Sequence, residues 1–349
     1  QLIQIKVGEA FMWKIKKIAL VIIVAVLCCA CTKTTEDVNQ TGTDSAQSGE
    51  TVNLQEVLEK MKSEQATPTP SPTPSDEPAP TNEDDIVFPE HEQVITEEDQ
   101  TEPQGNELQL VFLGDSIFDN NRDGTGVPYL TGVQCNADVY NLAIGGTTAT
   151  IKLTQSAEDE KWESTGLQGV VKAMQKKIPT TIFEGTRTKE ILDNPNIDFS
   201  KTDYFIVEYG INDYFEGAPR SYDDQPYSAY TYSGALRNAI SNLRELAPDC
   251  TIILCPPHYC VFYNGDRYVG DSNVTDKGAG TLRDYMGTCE YIAGEQQTLF
   301  FNSYDDLGID AYGADKYLED GVHLTAEARQ NYADALARII LKNEETKNN

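Results

Sequence analysis

Residues Leu108–Leu113 leave this chain few folds to choose from. Leu108, Leu110, Val111, Phe112 and Leu113 form a nearly continuous apolar run. That is the pattern of a strand buried on both faces rather than half exposed. Gly114 follows, and glycine takes the backbone angles that an abrupt strand end requires. Four further stretches read as strands: residues 137–143, 203–209, 250–255 and 298–302. Helical patterns separate them, at 167–177, 232–246, 280–294 and 325–341. In the last, Ala328, Tyr332, Ala335, Leu336 and Ile339 share one face. Thr325 is placed to cap that helix, with Glu327 near the positive end of its dipole. Five strands alternating with helices predict an α/β fold, a three-layer α/β/α sandwich around a five-stranded parallel sheet. Such sheets take their ligands at the loops that follow the strands' carboxyl ends.

This predicted body spans residues 107–344, chain enough for one sizeable core. What precedes it differs in kind. Residues 1–11 begin on Gln and are expected to be read-through upstream of an initiator at Met12. Lys14, Lys16 and Lys17 then lead into an apolar run over 18–27, followed by small residues and cysteines. This is the layout of a secretion signal, and the run falls short of the about 20 residues a membrane span needs. Leu27-Cys-Cys-Ala-Cys31 resembles the lipobox of bacterial lipoproteins. The resemblance implies that residues 12–31 are a lipoprotein signal peptide and that Cys31 carries the lipid. The alternative is an uncleaved anchor helix, and both readings put the body outside the cytoplasm, tethered to the membrane.

Residues 32–106 hold half of the chain's 16 prolines and eighteen acidic residues against Lys33, Lys60 and Lys62. So little apolar surface cannot offset the entropy of ordering, which predicts a disordered linker. Thr-Pro and Ser-Pro alternate from Thr67 to Pro74, a semi-rigid spacer. A coil of this length reaches roughly 50 Å, and more where proline and like charge extend it. The net charge of −29 argues against a nucleic-acid partner, which needs basic patches. Beyond the signal stand Cys135, Cys250, Cys255, Cys260 and Cys289, none in CxxC spacing. Most are expected to be buried small apolar residues, with one bridge among Cys250, Cys255, Cys260 and Cys289 left open.

The loops after the predicted strands carry the chemistry. Gly114-Asp115-Ser116 offers a serine at the carboxyl end of the first strand, a nucleophile if a base, an orienting acid and oxyanion donors are supplied. Gly145-Gly146 lets a backbone turn its N–H groups toward a ligand, although alone it reads as a tight turn. Gly210-Ile-Asn212-Asp213 brings a side-chain amide to the end of the third strand. Asp320-Gly-Val-His323 precedes the last helix, with the carboxylate one tight turn from the ring, as a general-base histidine requires. His91 lies in the linker, and His258 follows the fourth strand without an acid at short spacing. Asp119-x-Asn121-x-Asp123-Gly124 matches half of a calcium loop, but Leu130 stands where a bidentate Glu is needed. It reads as a polar loop beside Ser116, and no metal is expected.

These four blocks, in this order, resemble the SGNH hydrolases, the GDSL esterase and lipase superfamily, from Leu108 to Leu341. The resemblance implies an SGNH/flavodoxin-like fold with Ser116 as nucleophile and Asp320 and His323 completing a triad. It implies an oxyanion hole of the Ser116 and Gly146 N–H groups and the Asn212 amide, with Gly145 one position away as the alternative donor, and no cofactor. The expected activity is hydrolysis of short-acyl esters, de-acetylation first, on extracellular or cell-wall carbohydrate. Tyr222, Tyr227 and Tyr230 suit sugar faces, as they suit packing. The alternatives are a lipase or lysophospholipase of the same superfamily, an acyl transferase with the same triad, and a non-catalytic surface glycan-binding protein. A monomer is expected, with an acylated carbohydrate or small acyl ester as substrate and a membrane held through the lipid anchor.

Overall fold

The computed structural model describes residues 104–152 and 164–347. The expectations for the start site, the signal peptide, Cys31 and the linker lie outside the described residues. Along the chain run β1 (Leu108–Leu113), α1 (Ser116–Asp119), α2 (Val127–Cys135), β2 (Ala137–Asn141), α3 (Leu167–Met174) and α4 (Arg187–Asp193). Then come β3 (Tyr204–Glu208), α5 (Ile211–Phe215), α6 (Tyr232–Leu246), β4 (Thr251–Cys255), β5 (Val261–Asn264) and β6 (Arg267–Asp271). The last elements are α7 (Leu282–Gln296), β7 (Leu299–Phe300), α8 (Ala314–Tyr317) and α9 (Ala326–Lys347).

Five strands form one sheet in the order β2-β1-β3-β4-β7, every pair parallel. β2 and β3 are buried at every residue, and Leu110 to Leu113 and Ile252 to Cys255 are buried too. The apolar runs are thus continuous because helices cover the sheet on both sides. The helices pack in two groups, α2 against α9, and α3 and α7 against α6. The order reverses between β1 and β3, and open sheets of this kind take ligands at the carboxyl ends of those two strands. Leu113 pairs with Val207, so Gly114 and Glu208 leave the sheet side by side. A Cβ on Gly114 would lie 3.1 Å from the Glu208 carbonyl oxygen and 2.8 Å from the Phe118 ring, so only glycine lets the turn to α1 pass.

β1 and α6 have the predicted bounds. α7 begins at Leu282 rather than 280, because Gly280 has a φ of +114° and Thr281 with Asp284 closes a capping box. α9 continues past 341 to Lys347, where Asn343 donates to the Tyr204 hydroxyl at 2.7 Å. β7 has two residues where five were predicted, Leu299 and Phe300, paired with Ile253 and Leu254 of β4. The antiparallel hairpin of β5 and β6 was not predicted. It turns at Gly265 with a φ of +60°, and Asn264-Gly265 between apolar runs is the signal that announces it. All five cysteines of the described body are free thiols, so none of the bridges left open is formed. No described helix is long and apolar enough to cross a membrane.

Candidate active site

Ser116 is the first residue of α1, and the preceding Asp115 caps that helix by accepting the Ile117 N–H at 3.1 Å. Across 207 residues of sequence, His323 Nε2 comes to 3.0 Å from Ser116 Oγ. His323 Nδ1 lies 2.7 Å from Asp320 Oδ2. The other oxygen, Asp320 Oδ1, accepts the Val322 and His323 N–H groups at 3.0 and 2.8 Å. Partial burial raises the Asp320 pKa, but the bonds from His323 and Val322 outweigh it and hold the carboxyl below its usual range. Asp320 is therefore an acceptor. The ring proton belongs on Nδ1, and Nε2 is left to accept from the serine hydroxyl.

The two glycines after β2 do different work. Gly145 donates its N–H to Asp119 Oδ2 at 2.6 Å, and Arg122 grips the other oxygen of that carboxylate at 2.6 Å. Arg122 also donates to the Asn141 and Ala143 carbonyls at 2.9 and 2.5 Å, so it ties the end of β2 to the loop after Ser116. Gly146 has a φ of +73° and its N–H carries no hydrogen bond among the described residues; the Ser116 N–H is likewise unused. Gly146 rather than Gly145 is the open donor. Asp123 spends its carboxylate on the Thr125 N–H and hydroxyl, so the half calcium loop is internally bonded.

Asn212 is in place but not open. Its amide donates to Asp115 Oδ2 at 3.0 Å and to the Thr147 carbonyl at 2.9 Å, which accounts for both of its hydrogens. Asp213 is fully buried and accepts the Ala149 and Thr150 N–H groups, each at 2.9 Å. These two neighbours fasten the glycine loop to the end of β3.

Three buried carboxyl groups lie behind the serine, and the sequence did not mark them as a group. Glu208 is 0% exposed and has no well-formed hydrogen bond to either carboxyl oxygen; it faces Asp115. Burial first, then the Asp115 charge, raises the Glu208 pKa well above its usual range. Burial pushes Asp115 up to about 7 against the pull of the Ile117 N–H, and the Asp213 charge adds to the rise. Burial also raises Asp213, opposed by its bonds to Ala149 and Thr150. Two adjacent carboxyls sealed from water do not both ionise, so Glu208 is the member that keeps its proton.

Two more residues brace the histidine loop. His258 is buried, and its Nε2–H donates to the Val322 carbonyl at 2.7 Å; burial depresses its pKa to about 4 and keeps it neutral. It lies under the Asp320–His323 turn, a support that its spacing in the sequence, with no acid nearby, does not reveal. Arg329 of α9, also buried, donates to the Leu324 carbonyl at 2.6 Å and to the Thr125 carbonyl at 2.9 Å.

A model of the GDSL-like lipase/acylhydrolase family matches residues 112–330. Among solved structures, one crystal structure aligns at 17% identity with a TM-score of 0.50, covering 66% of this chain and 94% of that one. A possible lipase from Chitinophaga pinensis aligns at 18% identity and a TM-score of 0.47, covering 68% and 98%. A family two carbohydrate esterase from Clostridium thermocellum, solved in complex with cellohexaose, aligns at 19% identity and a TM-score of 0.41, covering 70% and 66%. At 17% identity the first of these likenesses concerns the fold alone. No curated protein matches the sequence.

Proposed function

The chain belongs to the GDSL-like lipase/acylhydrolase family, and from that premise we propose that it is a serine esterase removing acetyl or other short acyl groups from carbohydrate outside the cytoplasm. The observation that carries this reading is the unbroken line from Ser116 Oγ to His323 Nε2 at 3.0 Å and from His323 Nδ1 to Asp320 at 2.7 Å. Ser116 Oγ attacks the ester carbonyl as His323 Nε2 takes its proton, and Asp320 stabilises the imidazolium so formed. The carbonyl π pair moves onto oxygen, where the free N–H groups of Ser116 and Gly146 receive it. Asn212 meets the same oxyanion only by sharing a hydrogen that it gives to Asp115 or Thr147 in this structure. As the tetrahedral centre collapses, the alkoxide leaves with the proton from His323. Water repeats the sequence on the acyl-enzyme and frees the acid and the serine.

The setting of this chemistry is part of the proposal. Cys31 carries a lipid at the amino end of the mature chain, and the acidic linker over 32–106 holds the body off the membrane. Short acyl groups are preferred over long ones because the site lies open: the Asp320 and His323 side chains keep 56% and 31% of their exposure. A long-chain lipase would enclose its acyl group in apolar walls.

The test is initial-rate hydrolysis of 4-nitrophenyl acetate, butyrate, octanoate and palmitate by the full chain and its Ser116→Ala variant. Turnover that is lost in Ser116→Ala and falls from acetate to palmitate is expected. Equal rates for the two proteins would remove the serine mechanism, and a preference for palmitate would assign the site to lipids.

A further inference from the structure

The β5–β6 hairpin rises from the carboxyl end of β4, the edge of the sheet that holds the serine and the histidine. It is pinned to the histidine loop, because Val261 donates its N–H to the Gly321 carbonyl at 2.9 Å, between Asp320 and His323. Gly321 has a φ of +89°, and a Cβ there would lie 2.3 Å from the Val261 carbonyl oxygen and 3.1 Å from two ring carbons of Tyr263. The Tyr263 ring thus lies directly against the turn that carries the triad acid and base. It stays 43% exposed, and Tyr268, edge-on to it at 6.2 Å, stays 51% exposed. The Tyr268 hydroxyl is held by Asp271 Oδ2 at 3.0 Å, which fixes that ring in place.

The two faces of the hairpin differ. Phe262 turns inward, stacked on Tyr214 at 5.7 Å and edge-on to Phe215 at the same distance, so packing accounts for it. Tyr263 and Tyr268 are not needed for that packing, and their outer surfaces are open. Polar residues stand around them in the hairpin, Asn264, Asp266, Arg267 and Asp271, of which Asp271 bonds the Tyr268 hydroxyl. A flat apolar face with a polar rim is what the C–H face of a sugar ring stacks on, whereas an acyl chain calls for enclosure. Asp266 and Asp271 stand in this hairpin against the single Arg267, which disfavours a uronic or otherwise anionic ring and leaves a neutral one.

The geometry points to the hairpin as the sugar-binding side of this site, with Tyr263 and Tyr268, their planes 75° apart, giving a neutral pyranose one ring face to stack on and a second ring at its edge while its acetyl group reaches Ser116. This deepens the esterase reading and rests on it for the reaction, but the binding step stands apart from catalysis and can be read without it.

Two measurements test it on the full chain. The first is calorimetric titration of the Ser116→Ala variant with unmodified xylotetraose, with and without Tyr263→Ala or Tyr268→Ala. Binding that weakens about 10-fold or more on losing either ring is expected, the size of one stacked aromatic contact. The second is the ratio of kcat/KM on acetylated xylotetraose to that on 4-nitrophenyl acetate. This ratio should fall by a similar factor through KM in either tyrosine variant, stay closer to wild type in Tyr263→Phe, and be unchanged in Tyr291→Ala on the outer side of α7. Absence of xylotetraose binding, binding unaffected by both rings, or a ratio that does not move overturns the platform. Ser116-independent hydrolysis would instead strike the esterase reading, and the titration would still decide about the platform.

Discussion

The two halves of the site are built by opposite means. The serine half rests on carboxyl groups with no exposure at all, Asp115, Glu208 and Asp213. Each holds or faces a piece of the loops that carry the Ser116, Gly146 and Asn212 donors, and burial raises all three pKa values. The histidine half is open, with the Asp320 side chain 56% exposed, and Asp320 folds its own turn with two short-range bonds. The difference shows where rigidity must be built. The N–H groups that would meet an oxyanion belong to separate loops and need a buried scaffold to hold them together. A base three residues from its acid needs little more than a tight turn and the support of His258 and Arg329 from below. Losing the buried hydrogen bonds of the first half should therefore cost stability and rate together, and losing the exposed triad side chains of the second should cost rate alone.

The largest effect expected is from the open half. His323→Ala should lower kcat on 4-nitrophenyl acetate by about 10⁴-fold or more, about 5–6 kcal/mol of transition-state stabilisation. Calorimetry should find the melting temperature within about 2 °C of wild type; a large drop would mean that the ring also holds the fold. In the buried half, Asp213→Ala strands the Ala149 and Thr150 N–H groups. A loss of about 3 kcal/mol in urea unfolding is expected, with a fall in kcat because the Gly146 loop loosens. Full stability in that variant would break the contrast between the halves.

His258 gives a comparable effect through pH. Its folded pKa of about 4 lies below the unfolded value of 6.5, so the unfolded chain binds the proton first. Its stabilising contribution is present above 6.5 and is lost as pH falls through 4, about 3 kcal/mol in all. His258→Gln, which keeps a donor for the Val322 carbonyl, should flatten the acid limb of the stability profile. Asn212→Ala should cost on the order of 10–10² in kcat, at the low end for an oxyanion donor because its hydrogens are already engaged. A loss as large as that of His323→Ala would make Asn212 an open donor during turnover. The smallest effect concerns Glu208. Its raised pKa means stability present at low pH and lost as pH rises, with Asp115 contributing in the same direction near 7. Glu208→Gln keeps a neutral donor toward Asp115 and should gain stability over wild type as pH is raised from 5 to 9 in chemical unfolding. An unchanged difference across that range would mean that Glu208 is already ionised in the folded protein and does not keep its proton.

The strands were readable because burial on both faces leaves no polar alternation: Leu108–Leu113 matched to the residue, and the bounds of β3 and β4 lay within a residue of expectation. Asp320 and His323 were readable because their bond spans one turn, a distance that spacing alone can set. The hairpin was open to view in Asn264-Gly265, yet the flanking runs are short and Phe262 and Tyr263 face opposite ways, so no apolar period stood out.

Sequence by itself determined which residue types stand at the ends of which strands, since apolar continuity and turn residues are local properties. It also set the order in which Ser116, Gly146, Asn212 and the Asp320–His323 pair occur. Tertiary structure alone decided that Gly146 and not Gly145 is the open donor, because Asp119, 26 residues away, takes the other N–H. It alone brought Glu208 against Asp115, gave Asp213 its two loop bonds, and put His258 under Val322. Each of these depends on which groups water is excluded from, and exclusion of water is a property of the packed sheet and helices rather than of any stretch of chain.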